Sequence, residues 1–287
     1  MKVKLHHTTP EELECQEKKD IPDDISESAL AKIRQTEWIG EKIFYFPVID
    51  STNSKAKQFA EEGCKSGTLV IAEQQEAGRG RLGRNWESPQ GAGIFMTVVL
   101  KPKMNPNNAS MLTLVAALAV SAAIRKQTGR SAGIKWPNDI VMNGKKVCGI
   151  LTEMSAQVDC INHIVIGIGI NVHNEVFPEE LTDMATSLFL ETGERLNRAV
   201  LIEEIWEQFE RYYAIFLKTE DLGGLVREYD ENLVNRTQMV RVLDPKEPFE
   251  GSAMGITPKG ELIVDTGESR RLVSSGEVSV RGIYGYV

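Results

Sequence analysis

The sequence predicts an α+β protein with a mixed central sheet and a small second domain of β-strands. Three observations predict this. Strand-like and helix-like segments alternate from residue 43 to residue 233. Asn143-Gly144 separates two strand-like stretches, and this dipeptide is the strongest short signal for an antiparallel hairpin. After about residue 235 only short strand-like segments remain, with turn signals at Lys259-Gly260 and Gly267. We therefore expect three parts, covering residues 1–38, 39–235 and 236–287.

Residues 1–38 are expected to form a polar extension. They contain nine acidic and six basic residues, and one short amphipathic helix is predicted between Asp23 and Trp38, with Ile25, Leu30 and Ile33 apolar. Charged residues throughout this stretch exclude a secretory signal. The net charge of −8 for the whole chain argues against a general affinity for nucleic acid or anionic membranes.

The elements of the central part follow one another along the chain. We predict strands over 43–48, 68–75, 93–102 and 163–172, a capped helix over 50–63, a hairpin over 139–154, and helices over 198–233. The apolar run from Met111 to Ile124 is shorter than the ~20 residues of a membrane span. It predicts a buried helix that begins at Asn108 or Ser110 and ends at Gly129.

Cysteine and histidine spacing gives no sign of a disulfide framework or a metal site. Neither a C-x-x-C pair nor clustered histidines with ligand spacing occur. We expect reduced thiols in a cytoplasmic protein and no protein zinc site. The cysteines are Cys15, Cys64, Cys148 and Cys160.

The stretch AGRGRLGRNW, residues 77–86, contains a complete G-x-G-x-x-G. A dinucleotide-binding turn would need a helix after the last glycine, but Pro89, Gly91 and Gly93 follow instead. The H-R-D and D-F-G motifs of kinases and the P-loop motif are missing too. What remains is a glycine loop with Arg79, Arg81 and Arg84, which either surrounds a polyanion or is a solvated basic turn.

Three further stretches favour the polyanion interpretation. KWPND (135–139) is a polar turn, and GIGIN (167–171) presents one strand face without side chains, against which a planar ligand or another element could pack. In the hairpin, Lys146 alternates with Cys148 and Ile150 and is expected opposite Val141. A lysine on such an apolar face has to pair with an anion or extend outward.

Together these stretches resemble the biotin protein ligase family. DSTN (50–53), QEAGRGRLGRNW (75–86), KWPND, KKVCGIL (145–151) and GIGINV (167–172) occur in the family's order over residues 39–287. The resemblance implies a sheet of the class II synthetase type and a C-terminal SH3-like barrel. It also implies that ATP and Mg²⁺ activate biotin to biotinyl-5′-AMP, and that a lysine of a biotin carboxyl carrier protein accepts the biotin.

The resemblance also implies roles for individual residues. Lys146 and Arg79 would be catalytic. Biotin would contact Ser51, Thr52, Asn53, Gln75, Arg79, Gly80, Arg81, Lys146, Gly167 and Gly169. ATP would contact Arg81, Arg84, Trp86, Lys135, Asn138, Asp139 and Asn171, and would carry the Mg²⁺ without a metal site of the protein. Ser51 and Thr52 also suit a helix N-cap.

Three rival functions fit the sequence less well than this resemblance. A biotin-responsive repressor would need basic helices in residues 1–40, where the charge is negative, so we expect no specific DNA binding. A biotinylated carrier would need a lysine between methionines, and Ala253-Met254-Gly255-Ile256 has none. A lipoate or octanoate ligase would not need the arginine loop with KWPND. The expected protein is a ligase without a membrane partner, either monofunctional or the remnant of a longer form, with a homodimer left open.

Overall fold

A computed structural model describes residues 21–287 apart from 159, 245, 277, 278, 284 and 285. The expectations for the first 20 residues, including Cys15, lie outside the described residues. The remaining cysteines, Cys64, Cys148 and Cys160, are free thiols, as predicted.

A seven-stranded mixed sheet forms the centre of the fold. Its spatial order is β1-β2-β3-β7-β6-β5-β4, and only β1 and β2 run parallel. This confirms the predicted α+β class with a mixed sheet. The short edge strand β4 was not predicted. The strands are β1 (Ile43–Phe46), β2 (Leu69–Ala72), β3 (Gly93–Leu100), β4 (Gly133–Lys135), β5 (Asp139–Met142), β6 (Lys145–Gln157) and β7 (Cys160–Asn171).

The predicted hairpin connects β5 and β6. Asn143 and Gly144 have φ angles of 48° and 79°, the left-handed values that a two-residue hairpin turn requires. The tight turn aligns the start of β6 with β5, so that Val141 lies opposite Lys146 as expected.

One face of the sheet is covered by two long helices. Helix α3 (Leu112–Thr128) packs against α5 (Arg198–Phe216), and the four alternating isoleucines of β7 lie in the same core. Gly129 ends α3 in the left-handed conformation, as predicted, but the chain enters α3 through a 3-10 turn over Pro106–Met111 that Asn105 caps. The predicted caps Asn108 and Ser110 are wrong because this extra turn moves the helical start upstream. The stretch Pro106–Thr128 is long and apolar enough to span a membrane, but 72% of its most apolar window is buried inside the fold.

The described part of the N-terminal extension packs onto the same core. Ser26 caps α1 (Glu27–Ile33), and Ile25 and Leu30 are buried as the amphipathic pattern predicts. Arg198, at the start of α5, is buried and forms ion pairs with Asp23 and Glu73. Residues 21–38 are therefore tied to the core of the central sheet.

The opposite face of the sheet carries α2 (Thr52–Glu61) at one end and exposes backbone at the other. Ser51 caps α2, and Ala56 and Ala60 pack against Val99 and Val165. Further along β7 the same face shows Gly167 and Gly169. This bare part of the sheet is where the loops carrying the predicted site residues meet.

The C-terminal segment forms a separate five-stranded antiparallel sheet with the order β11-β10-β9-β8-β12. The predicted turns at Gly260 and Gly267 are present, and both glycines have positive φ. Trp136, which follows β4, donates from Nε1 to the Gly260 carbonyl at 3.0 Å and so links the two sheets. The helix α6 (Val226–Asn232) precedes this sheet, whose strands are β8 (Met239–Leu243), β9 (Phe249–Ile256), β10 (Leu262–Asp265), β11 (Arg270–Val273) and β12 (Ser279–Gly282). A five-residue helix, α4 (Leu188–Thr192), follows the loop after β7.

Candidate active site

The arginine loop is a narrow turn that folds back over the bare face of the sheet. Gly80 N donates to the Arg84 carbonyl at 2.7 Å, and Trp86 N donates to the Gly78 carbonyl at 2.9 Å. Gly78 must be glycine because a Cβ there would lie 2.6 Å from the Trp86 carbonyl oxygen. At the tip, Leu82 has φ 58° and is 59% exposed. A non-glycine residue in this conformation marks a strained tip.

All residues predicted to contact biotin line one small cavity beneath this loop. Its volume is about 50 Å³, room for one or two water molecules. Small-molecule pockets are usually about 300–1,000 Å³. The predicted residues thus come together, but the cavity has to open before it can hold a ligand of biotin's size.

A continuous hydrogen-bond network holds the polar side chains of this cavity. The Gln75 Oε1 accepts from the Thr52 backbone N–H at 2.9 Å and from its hydroxyl at 3.0 Å. Thr97 donates to the Asn53 Oδ1 at 2.7 Å, while the Asn53 amide donates to Glu153 at 2.8 Å. The side chains are therefore fixed before any ligand binds, and Ser51 also serves as the N-cap of α2.

Side chains of other site residues pack directly against the two glycines of β7. A Cβ at Gly167 would lie 2.1 Å from the Asn53 Oδ1, and one at Gly169 would lie 2.8 Å from the Trp86 Nε1. The Trp86 indole thus covers the glycine floor, and its buried N–H has no hydrogen-bond partner among the described residues. A buried donor without a partner is costly, and this favours displacement of Trp86 by a ligand.

Lys146 does not lie on the apolar strand face, and that expectation was wrong. The β5–β6 ladder pairs Ile140 with Cys148 but Val141 with Lys146, so Val147 is an extra residue that forms a β-bulge. The bulge shifts the alternation by one residue. Cys148 and Ile150 point into the core, whereas Lys146 lies over Gly149, its Nζ 2.9 Å from where a Cβ would be.

Lys146 forms an ion pair that the sequence analysis missed. Its Nζ lies 2.6 Å from Oδ1 of Asp139 and 5.2 Å from the centre of the Trp86 ring. Burial alone would raise the pKa of the Asp139 carboxyl, but the Lys146 ammonium and hydrogen bonds from Lys146 and Tyr286 hold that pKa below its ordinary value. Asp139 is therefore ionised at neutral pH.

The residues predicted to contact ATP line a second cavity, which adjoins the first. Its volume is about 380 Å³, within the range of small-molecule sites. Asn138 accepts from Arg81 at 2.8 Å, and Asn171 donates to the Thr186 carbonyl at 3.1 Å. The two cavities share their boundary residues, which are Gly80, Arg81, Trp86, Asn138 and Lys146.

The second cavity is strongly positive although the whole chain is acidic. Five basic and two acidic side chains line it, a formal surplus of three positive charges. Lys135 is only 5% exposed. Burial, helped by the nearby cations Lys146, Arg281 and Arg84, lowers its pKa to about 8 against the opposing effect of Asp139. A water-poor positive cavity of this kind concentrates anions. The basic residues are Arg81, Arg84, Lys135, Lys146 and Arg281.

The structure adds lining residues that sequence reasoning did not find. Apolar side chains of the loop after β7 border the second cavity, and Tyr286 enters it from the C-terminal end. The sequence signal for these loop residues was Val176-Phe177, an apolar pair in an otherwise polar loop. No local pattern marks Tyr286, which reaches the cavity through tertiary folding alone.

Comparisons with known proteins agree with this geometry. Residues 45–171 match the Biotin/lipoate A/B protein ligase family, and residues 238–281 match the Biotin protein ligase C terminal domain. A biotin protein ligase from Aquifex aeolicus, solved in complex with biotin and ATP, superposes with a TM-score of 0.75 and 30% identity. That match covers 84% of this chain and 99% of the other.

Two relatives show the same relationship in sequence. The bifunctional ligase/repressor BirA of Bacillus subtilis is 37% identical over 261 residues, covering 90% of this chain and 80% of the relative. The biotin–[acetyl-CoA-carboxylase] ligase of Paracoccus denitrificans is 32% identical, covering 81% of this chain and 98% of the relative. On these grounds, the chain belongs to the biotin protein ligase family.

Proposed function

We propose that this chain is a biotin–[biotin carboxyl carrier protein] ligase that works in two half-reactions. In the first, a biotin carboxylate oxygen attacks the α-phosphorus of ATP, and pyrophosphate leaves with the electrons of the broken P–O bond. In the second, the ε-amine of a carrier lysine attacks the carbonyl of biotinyl-5′-AMP. AMP leaves, the amine loses a proton, and an amide forms.

The small cavity would hold biotin. Its fixed donors and acceptors suit the ureido ring, which offers one carbonyl acceptor and two N–H donors. The ring would form hydrogen bonds with Ser51, Thr52, Asn53 and Gln75. Once Trp86 moves, Gly167 and Gly169 would leave room for the ring against the backbone of β7. Arg79, Gly80 and Arg81 would close over the ligand.

The larger cavity would hold ATP. Arg84, Lys135 and Arg81 would bind phosphate oxygens, and Asn138, Asn171 and Trp86 would position the nucleotide. Two carboxylates line this cavity, Glu87 and Asp139, and Asp139 is already paired with Lys146. Mg²⁺ would therefore take most of its ligands from phosphate oxygens and water, as is usual for Mg²⁺–nucleotide complexes.

The observation that carries this proposal is the position of Lys146 between the two cavities. Joining a carboxylate to a phosphate brings two anions together, and a preorganised cation at the junction is the main means of lowering that barrier. Lys146 lines both cavities, and Asp139 holds its ammonium at 2.6 Å. When substrate anions arrive, they would compete with Asp139 for this ammonium.

The partner that we propose is a biotin carboxyl carrier domain. The relative from Paracoccus denitrificans is named for acetyl-CoA carboxylase, a carboxylase of this kind. We further propose that the reaction takes place in the cytoplasm, and that the acidic N-terminal residues make no specific DNA contacts.

The test is incubation of the chain with ATP, Mg²⁺, biotin and a carrier domain, followed by mass spectrometry of the carrier. The carrier should gain one biotinyl group, and a carrier whose acceptor lysine is replaced by arginine should gain none. Repeating the assay with lipoate in place of biotin distinguishes a biotin ligase from a lipoate ligase, the other activity in the name of the matched family. Transfer of lipoate, or no transfer of biotin, would contradict the proposal.

A further inference from the structure

The penultimate residue of the chain reaches the nucleotide side of the site. Tyr286 donates from its hydroxyl to Oδ2 of Asp139 at 2.5 Å. The other carboxylate oxygen, Oδ1, receives Lys146 and the amide of Asn138. Tyr286 thus occupies the side of Asp139 that Lys146 leaves open.

The ring of the same tyrosine supports the second buried lysine. Lys135 Nζ lies 3.5 Å from the centre of the Tyr286 ring, within the range of a cation–π contact. The charge of a lysine that is 5% exposed needs such compensation for the hydration it has lost. One side chain therefore contacts both Lys135 and Asp139.

The C-terminal sheet fixes this tyrosine in place. The tail, Tyr286 and Val287, lies so close to the end of β12 that a Cβ at Gly282 would overlap the Val287 backbone oxygen. A second tie joins the same domain to the arginine loop, because Arg81 donates to the carbonyls of Ser275 and Gly276 at 2.9 and 2.8 Å. The tail is thus part of the wall of the second cavity.

We infer that Tyr286 is a positioning residue for the nucleoside triphosphate, acting through Lys135 and Asp139. This inference rests on the proposed function. Its hydroxyl keeps Asp139 oriented toward Lys146, and its ring keeps the Lys135 ammonium in the water-poor cavity. Both effects act first on the ATP side, because Tyr286 lines the larger cavity and not the small one, and the residues that would bind the biotin ureido ring keep their own network.

The experiment compares Tyr286→Phe and Tyr286→Leu with the wild-type chain in biotin-dependent exchange of pyrophosphate into ATP. Tyr286→Phe loses one charge-assisted hydrogen bond, so KM for ATP should rise about tenfold. Tyr286→Leu also loses the ring and should raise the KM for ATP further. The Phe variant should therefore keep part of the ATP binding that the Leu variant loses. The biotin Kd, measured by calorimetry without ATP, should not change.

A matched control is Tyr212→Phe on the remote α5, which removes a hydroxyl that donates to Glu228 of α6. It should leave KM for ATP unchanged. Gly282→Ala provides an independent route, because it displaces the tail without altering the tyrosine, and it should reproduce the rise in KM.

Each other outcome overturns the inference. An unchanged KM together with a lower melting temperature would show that Tyr286 only stabilises the fold. A lower KM would show that the tyrosine occupies the nucleotide's own place. If the wild-type chain catalyses the exchange and the variants have the same KM for ATP, this inference alone is refuted. If the wild-type chain shows no biotin-dependent exchange, the proposed function is refuted as well.

Discussion

Replacing Lys146 with alanine should impair the first half-reaction far more than the second. The charge-on-charge step is complete once biotinyl-5′-AMP exists, so the junction cation matters mainly before that point. Loss of one preorganised electrostatic donor usually costs about 100-fold or more in rate. We expect adenylate formation to fall by at least about 100-fold, and transfer from supplied biotinyl-5′-AMP to fall much less.

The same substitution should also cost stability, because it leaves the Asp139 carboxylate without its closest cation. Asp139 is 13% exposed and keeps its bond to Tyr286, so we expect a loss of about 1.5–3 kcal/mol, the range for one hydrogen bond to a charged group. The folded-state pKa of Asp139 is depressed, so the wild-type ion pair stabilises the fold above the unfolded pKa and is lost as the pH falls. The difference between the two proteins should therefore shrink below about pH 4.

The assay measures both half-reactions and the urea midpoint on the same preparations. Lys145→Ala is the matched control, because Lys145 is half-buried, donates to the Thr182 carbonyl and lines neither cavity. Adding Asp139→Asn to Lys146→Ala should restore stability without restoring activity, since it removes the orphan charge but returns no cation. Equal losses in both half-reactions, or no loss in either, would refute the role given to Lys146.

Three further predictions concern Lys135, the arginine loop and the N-terminal residues. The pKa of Lys135 is about 8 and only its charged form binds phosphate, so kcat/KM for ATP should fall above about pH 8. In Lys135→Arg this fall should move out of the measured pH range. A fall that persists in this variant would show that another group causes it. Trypsin should cut the free chain at Arg79, Arg81 or Arg84, and biotin with ATP should suppress the cuts, because the cavity of about 50 Å³ has to open and reclose around ligand. Equal cleavage in both states would argue against an ordering loop. Finally, the chain should show no sequence-selective shift of a carboxylase promoter fragment, because residues 1–38 carry nine acidic against six basic side chains; a salt-sensitive specific complex would contradict this.

Local signals in the sequence predicted most of the elements. The alternation of β7, the Asn143-Gly144 turn and the end of α3 at Gly129 each depend on a few adjacent residues, and the structure confirms them. The bulge at Val147 does not follow from such a pattern, because strand alternation assumes an uninterrupted ladder. One extra residue was enough to move Lys146 to the other face.

The site residues were predictable as a set but not in their contacts. Motif resemblance brought out many of the residues that line the two cavities, but not all of them. It did not predict the pairing of Lys146 with Asp139, which depends on the bulge, or the entry of Tyr286 from 147 positions away in the chain. Contacts of this kind arise from tertiary packing, which no short stretch of sequence encodes.

The central claim is tested most directly by exchange of labelled pyrophosphate into ATP by the chain alone, with no carrier present. Exchange should require biotin and Mg²⁺, should not occur with lipoate, and should be lost in Lys146→Ala but not in Lys145→Ala. Exchange that is driven equally by lipoate, or no exchange with biotin by the folded chain, would contradict the account.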